Sequence, residues 1–242
     1  MIVSLQGKKI LVTGATGAVG SAIALAAKEA GAWVMGSYLR NEARARELGA
    51  EGMVMVQADL SDRAQARGLV RQALDQAGSL DALVYSAGNA RDRTLLKMSD
   101  PEWDEVMKLH LDGLVVCCQA ALPGMQERRK GKLVAIGSQS GLTGRVGQAN
   151  YSAAKAATVG FIKSLAREAG RFGVTANVIC PGFVESQMTR SAPPEAWDRA
   201  KAASALGTIS SVETVASFTT WLLSDLCSGV TGQLFQLDSR IL

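Results

Sequence analysis

The chain has 242 residues, of which 48% are hydrophobic and 20% charged, and its net charge of +4 is spread along its length rather than gathered in blocks. That length suits one large α/β unit or two small ones, and the balance is that of a globular protein rather than a disordered or fibrous one. The densest basic run, Arg128-Arg129-Lys130 with Lys132 beyond it, is short and carries no interleaved aromatics. This argues against a nucleic-acid surface and leaves a solvated helix end or an acidic partner.

Met1 to Lys9 has no long apolar region, so no secretory signal is expected. No apolar stretch of the ~18 residues that a membrane helix needs is expected either. Cys117, Cys118, Cys180 and Cys227 lack metal-ligand spacing, and the sole histidine, His110, cannot assemble a histidine-rich metal site. No metal is expected, and the cytoplasm is the expected compartment.

Lys9-Ile10-Leu11-Val12-Thr13 is a short apolar run of the kind buried parallel strands show. Gly14-Ala15-Thr16-Gly17-Ala18-Val19-Gly20 follows at once, then a helix of small residues from Ser21 to Ala30. Strand, glycine-rich turn and helix in that order let backbone N–H groups approach a pyrophosphate at the positive helix end. A plain tight β–α turn is the alternative. Gly31 to Tyr38 reads as the second strand. A carboxylate at its end would bind a free ribose 2′-hydroxyl, but Ser37-Tyr38-Leu39-Arg40-Asn41 has none. Arg40 suits a 2′-phosphate, which favours NADP(H) over NAD(H), although it also fits ordinary helix surface.

Glu51 to Gln57 makes a third strand, ending Ala58-Asp59-Leu60, and Ser61 to Gly78 a helix with Asp59 or Ser61 as its cap. Asp81 to Tyr85 is the fourth strand. It runs into Ser86-Ala87-Gly88, whose small side chains leave room for a ligand at the strand's carboxyl end. A helix from about Ser99-Asp100-Pro101 to Met125 carries His110 and the adjacent cysteines. The fifth strand, Lys132 to Gly137, delivers Ser138, and a helix beginning near Tyr151 runs to about Arg171.

Tyr151 and Lys155, four apart, share a helix face. An ammonium near a phenol favours the phenolate and lowers its pKa from about 10. Such a phenol exchanges a proton with a carbonyl or alcohol near neutral pH, and Ser138 supplies a hydroxyl for the same oxygen. Alone, this spacing usually marks solvated helix surface; the preceding nucleotide-binding pattern gives it weight. Val174 to Ile179 is the sixth strand, followed by Cys180-Pro181-Gly182-Phe183-Val184-Glu185. Residues 185–208 contain Pro193-Pro194 and no strong period, and read as a mobile lid over the substrate. A helix from Ser211 to Leu223 and a strand from Gln233 to Leu237 finish the chain. The alternation predicts one α/β domain over residues 1–242, a Rossmann-type doubly wound parallel sheet of about seven strands with helices on both faces.

Thr13-Gly14, Ala87-Gly88, Ser138, Tyr151, Lys155 and Pro181-Gly182, in this order, resemble the short-chain dehydrogenases/reductases over essentially the whole chain. Gly147 to Tyr151, Ser164 to Glu168 and Pro181 to Glu185 are most similar to the 3-oxoacyl-[acyl-carrier-protein] reductases, though relatives acting on other ketones share these segments. The resemblance implies hydride transfer from nicotinamide C4 to a carbonyl. Tyr151 would be the general acid, Ser138 would orient the carbonyl, and Lys155 would bind the nicotinamide ribose and depress the Tyr151 pKa. It places Gly14, Gly17 and Gly20 against the pyrophosphate, Asp59 at the adenine and Pro181-Gly182 at the nicotinamide. By the same resemblance Thr16, Ala18, Val19, Leu60, Ala87, Gly88 and Val184 would also line the cofactor, as would Arg40. The implied substrate is a 3-oxoacyl thioester on acyl carrier protein or coenzyme A, and the implied assembly a homotetramer. Carrier docking would fall to Arg129 and Arg171, with Phe172 standing where a second basic residue is expected.

The chain departs from the family pattern at three points. Ala18 replaces the middle glycine of the turn, with Gly17 one place earlier. Ser86 replaces an asparagine. His110 aligns with the asparagine that holds a water joining the catalytic lysine to solvent. Histidine can serve such a relay with altered pH dependence, pack as a bystander, or mark an impaired site. Two other functions therefore stand beside the first: a reductase or dehydrogenase for another ketone or secondary alcohol, and a catalytically weak cofactor-binding subunit of a hetero-oligomer.

Overall fold

Successive strand residues point to opposite faces, and here both faces are apolar, so the strands can only sit between two helical layers. Leu11, Leu83, Leu133 and Val178 belong to one buried cluster; their neighbours Ile10, Val84, Val134 and Ile179 belong to the other. The computed structural model describes residues 2–185, 189 and 193–239. Seven strands form one sheet: β1 (Lys9–Thr13), β2 (Trp33–Tyr38), β3 (Val54–Gln57), β4 (Ala82–Tyr85), β5 (Gly131–Ile136), β6 (Val174–Pro181) and β7 (Leu234–Leu237). Their order is β3-β2-β1-β4-β5-β6-β7, and every pairing is parallel.

The cluster on one face is completed by α3 (Arg63–Ala77), α5 (Gly113–Glu127) and α7 (Ala149–Gly170). On the other face stand α1 (Ala18–Glu29), α2 (Glu42–Ala50) and the helix Val212–Leu223. After β3 the chain returns to the opposite side of β1, so the order reverses between β1 and β4. Parallel α/β sheets open a crevice at the carboxyl ends of the strands where this happens.

Three helix starts differ from expectation. The first helix begins at Ala18 behind the N-cap Gly17, so the glycine turn is shorter than the sequence suggests. The cap of α3 is Asp62, which accepts from the N–H groups of Ala64 and Gln65; Asp59 is engaged instead by the Ser61 N–H and hydroxyl. The third lies in the stretch read as a lid, which contains an ordered helix, α8 (Pro194–Ala202), opened by Pro194 itself. Residues 186–188 and 190–192 of that stretch lie outside the described residues. A four-residue helix, α6 (Ser140–Thr143), follows Ser138, and Val212–Leu223 is α9.

The long helix after β4 is not uniform. Ser99 and Glu102 form a capping box that starts α4 (Asp100–Met107). A π turn, Lys108–Asp112, then joins it to α5. The whole segment Asp100–Glu127 is long and apolar enough to cross a membrane by length and composition, contrary to expectation. Its apolar side covers the sheet, with Leu114, Cys117, Cys118, Ala121 and Met125 in the core. Within the π turn the Leu109 carbonyl accepts the Tyr85 hydroxyl at 2.6 Å.

Candidate active site

The glycine turn is built across the switch point. Gly14 has φ 63° and lies so close to β4's exit that a Cβ would stand 2.7 Å from Ala87 Cα, so only glycine fits. The Thr13 hydroxyl, fully buried, accepts the N–H groups of Ser86 and Ala87 at 3.0 and 3.2 Å. Ser37 on β2 holds the other side, its hydroxyl accepting Gly14 N–H at 3.2 Å. A Cβ at Gly20 would collide with the Gly14 carbonyl. Gly17 caps α1 with no side chain, which leaves the first N–H groups of the helix open to an anion. Ala18, Val19 and Thr16 are half-buried around it, and Ala18 is the first residue of α1. These features fit a dinucleotide pyrophosphate.

A chain of contacts leads from this turn to the chemistry. Gly88 packs against His110, whose Cε1 would lie 2.5 Å from a Cβ there. His110 meets the Tyr151 ring edge to face, with centroids 5.2 Å apart. The Lys155 ammonium stands 5.7 Å from the centre of that ring and donates to the Ile136 carbonyl at the end of β5 at 2.6 Å. Gly141 gives Lys155 room, since a Cβ would meet it at 2.7 Å. Ser138 follows β5 directly. Pro181 closes β6, and Gly182 and Val184 follow it at the same edge of the sheet.

Burial dominates the electrostatics. It depresses the Lys155 pKa to about 8, which leaves the side chain mostly an ammonium at neutral pH. Burial also raises the Tyr151 phenol above its usual range; the Ser138 hydroxyl pulls it down by less, and the Asp92 carboxylate pushes it further up. The depressed phenol expected from Lys155 is therefore not what this geometry gives. The ammonium lies a helical turn away and is spent on a backbone carbonyl. Burial and the Lys155 charge push His110 down to about 3, so its imidazole is neutral from pH 5 to 8, and no altered pH dependence arises from its titration there. His110 Nε2 lies 3.1 Å from the Asn89 N–H and 2.8 Å from the Asn89 carbonyl. Nδ1 is buried without a hydrogen-bond partner.

Other expected residues stand further out. Leu60 is buried in the core. Arg40 is exposed at the end of β2. Arg44, which sequence reasoning passed over, donates through Nε and Nη2 to the buried Ser21 hydroxyl on α1 at 3.2 and 2.7 Å. This puts a second guanidinium beside the glycine turn, one that is also paired with Glu47 at 2.6 Å; its only signal was a basic residue in the first turn of the helix after β2. Arg129 and Arg171 do meet, Arg129 Nη2 donating to the Arg171 carbonyl at 2.9 Å. Both precede strands, at the opposite edge of the sheet from Tyr151.

A parallel sheet with a glycine turn at its switch point, and a serine, tyrosine and lysine at the same edge, defines a dinucleotide-dependent oxidoreductase. The sequence profile described as short chain dehydrogenase matches residues 8–197. A 3-oxoacyl-[acyl-carrier-protein] reductase of Staphylococcus aureus is 35% identical over 237 residues, 96% of each chain. The crystal structure of gox2181 superposes with a TM-score of 0.92 at 32% identity, covering 98% of this chain and 96% of that one. A blue fluorescent protein from a metagenomic library, solved with NADPH, gives 0.90 at 30% identity, with 98% of each chain covered. The chain belongs to the short-chain dehydrogenase family. It is an NAD(P)-dependent oxidoreductase acting between CH–OH and C=O.

Proposed function

We propose that the protein is a cytoplasmic NADPH-dependent ketoreductase that reduces a 3-oxoacyl thioester to the 3-hydroxyacyl form. One observation carries the reading: Ser138, Tyr151 and Lys155 gather at the carboxyl edge of the sheet beside the glycine turn, with the Lys155 ammonium 5.7 Å from the centre of the Tyr151 ring, so that a phenol and a serine hydroxyl can meet one carbonyl oxygen. NADPH, when bound, supplies the hydride. Gly14, Gly17 and Gly20 admit the pyrophosphate, and Pro181 and Gly182 border the nicotinamide. Asp59, whose carboxylate faces Ser61, stands at the adenine. Ser138 orients the carbonyl oxygen, Tyr151 protonates it as negative charge develops, and Lys155 holds the ribose with its ammonium. His110 serves as a neutral hydrogen-bonding group next to Tyr151, its free Nδ1 offering a place for a water. The similarity to acyl-carrier reductases supports the thioester as substrate.

Arg40 and Arg44 flank the place of a ribose 2′-phosphate, which favours NADPH over NADH. Arg40→Ala is expected to raise the Kd for NADPH about ten-fold, or about 1.4 kcal/mol, and that for NADH less than about two-fold. Equal losses, measured by fluorescence titration, would remove Arg40 from that role.

Arg129 and Arg171 offer a basic surface to an acyl carrier. Arg171 is twenty residues beyond Tyr151 along α7 and its C-cap, about 30 Å at helical rise. A carrier bound there is better placed to serve a neighbouring copy in a homotetramer than the same chain. The deciding experiment compares NADPH and NADH in steady state with a short 3-oxoacyl thioester and a panel of free ketones and alcohols. Turnover of the thioester with NADPH is expected. Preference for a free ketone would reassign the substrate, and cofactor binding without any turnover would favour a non-catalytic subunit.

A further inference from the structure

Gln148 is buried, 7% exposed, and both ends of its amide are used. Its Nε2 donates to the two carboxylate oxygens of Asp92 at 3.1 and 3.0 Å. Its Oε1 accepts the Ser140 hydroxyl at 3.0 Å. The acceptor-only carboxylate settles which way the amide faces. Ser140 in turn donates its backbone N–H to Ser138 Oγ at 3.2 Å. That bond occupies one lone pair of Ser138 and so narrows the directions its own hydrogen can take. The segment bearing Asp92 is itself anchored: Arg93 N–H donates to the Gly147 carbonyl at 2.8 Å, and the buried Asn150 donates to the Arg91 carbonyl at 3.2 Å. The loop after β4 is thereby bolted to the start of the helix that carries Tyr151.

We propose that Asp92 and Gln148 are positioning residues that act through Ser140 to hold the Ser138 hydroxyl in its productive orientation. Neither touches the reacting atoms. The inference rests on the reading of Ser138 as the group that orients a substrate carbonyl. A buried amide against an exposed carboxylate is a charge-assisted bond whose loss leaves the Gln148 amide unsatisfied, while Asp92 can turn to water. Its geometric effect falls on a donor whose value lies in placement toward a developing oxyanion.

The test is a reciprocal exchange. Gln148→Glu sets two carboxylates against each other, whereas Asp92→Asn combined with Gln148→Glu restores the pair with donor and acceptor ends interchanged. The single variant is expected to lose about 10- to 100-fold in kcat, with KM and NADPH affinity within about three-fold. The double variant should recover to within about three-fold of the parent. Crystal structures supply an arm that needs no turnover: Ser138 Oγ should leave hydrogen-bond reach of the Ser140 N–H in Gln148→Glu and return in the double variant. A folded Gln148→Glu enzyme with parental kcat, or one with Ser138 unmoved, overturns the proposal. So does a double variant that regains melting temperature but not the Ser138 geometry. Should the parent reduce no ketone at all, the ketoreductase reading falls, and the crystallographic arm still decides the positioning.

Discussion

Tyr151→Phe is expected to lower kcat by about 10²–10⁴-fold, the usual contribution of a positioned general acid, while NADPH affinity stays within a few-fold. The variant keeps the aromatic ring and with it the edge-to-face contact with His110, so folding and the shape of the pocket should survive. What disappears is the phenolic proton beside Ser138 that the proposed mechanism delivers to the substrate oxygen. Because burial outweighs the neighbouring hydroxyl in setting the phenol's pKa, the donor form persists across the neutral range. Parallel measurement of single-turnover NADPH oxidation and of NADPH fluorescence separates the two effects. A variant retaining the parental rate would transfer the acid's role to another group.

The second large effect concerns stability. His110 is buried with its pKa pushed down to about 3, against about 6.5 in an unfolded chain. Between these values the unfolded state binds the proton and the folded state does not, so stability rises with pH across this window and is lost as pH falls from 6.5 toward 3. The slope from this one group is about 1.4 kcal/mol per pH unit, which accumulates to roughly 4–5 kcal/mol at the bottom of the window. His110→Asn removes that slope, because an amide does not titrate. Urea denaturation at pH 7 and pH 4.5 should show the parent losing about 2–3 kcal/mol more than the variant. Carboxylates held low, such as Asp62 and Asp225, also weaken the fold in acid, but they do so in both proteins and cancel in the difference. Identical acid losses would mean that the imidazole takes up its proton in the folded state.

Much of the architecture can be read locally. Apolar runs five or six residues long, separated by amphipathic segments, point to buried parallel strands with covering helices, and each of the seven expected runs holds a strand, although β5 starts one residue early at Gly131 and β6 continues two residues further to Pro181. The Ser138, Tyr151 and Lys155 positions are likewise legible, because a strand end and a four-residue helical spacing are local facts. What escaped depends on partners distant in sequence. The direction of the Tyr151 pKa shift follows from burial, which spacing cannot reveal. Asp92 and Gln148 are 56 residues apart, and neither looks unusual in its own neighbourhood. The helix Pro194–Ala202 was hidden because Pro193-Pro194 reads equally as a breaker and as a first turn. Nothing in Lys108-Leu109-His110-Leu111-Asp112 announces a π turn, since its hydrogen-bond pattern is set by what lies on either side.

That widened turn has a consequence for how one rod of chain serves two masters. Each residue of a regular helix advances about 100° around the axis, so a single surplus residue between α4 and α5 resets the phase of everything beyond it. Upstream, Glu102 and Glu105 look toward the loop that carries Arg91 and Arg93; downstream, Leu114, Cys118 and Ala121 look into the hydrophobic interior. Trimming one residue there would straighten the hydrogen-bond ladder yet swing one of these two faces out of alignment, and Tyr85 would lose the acceptor for its hydroxyl.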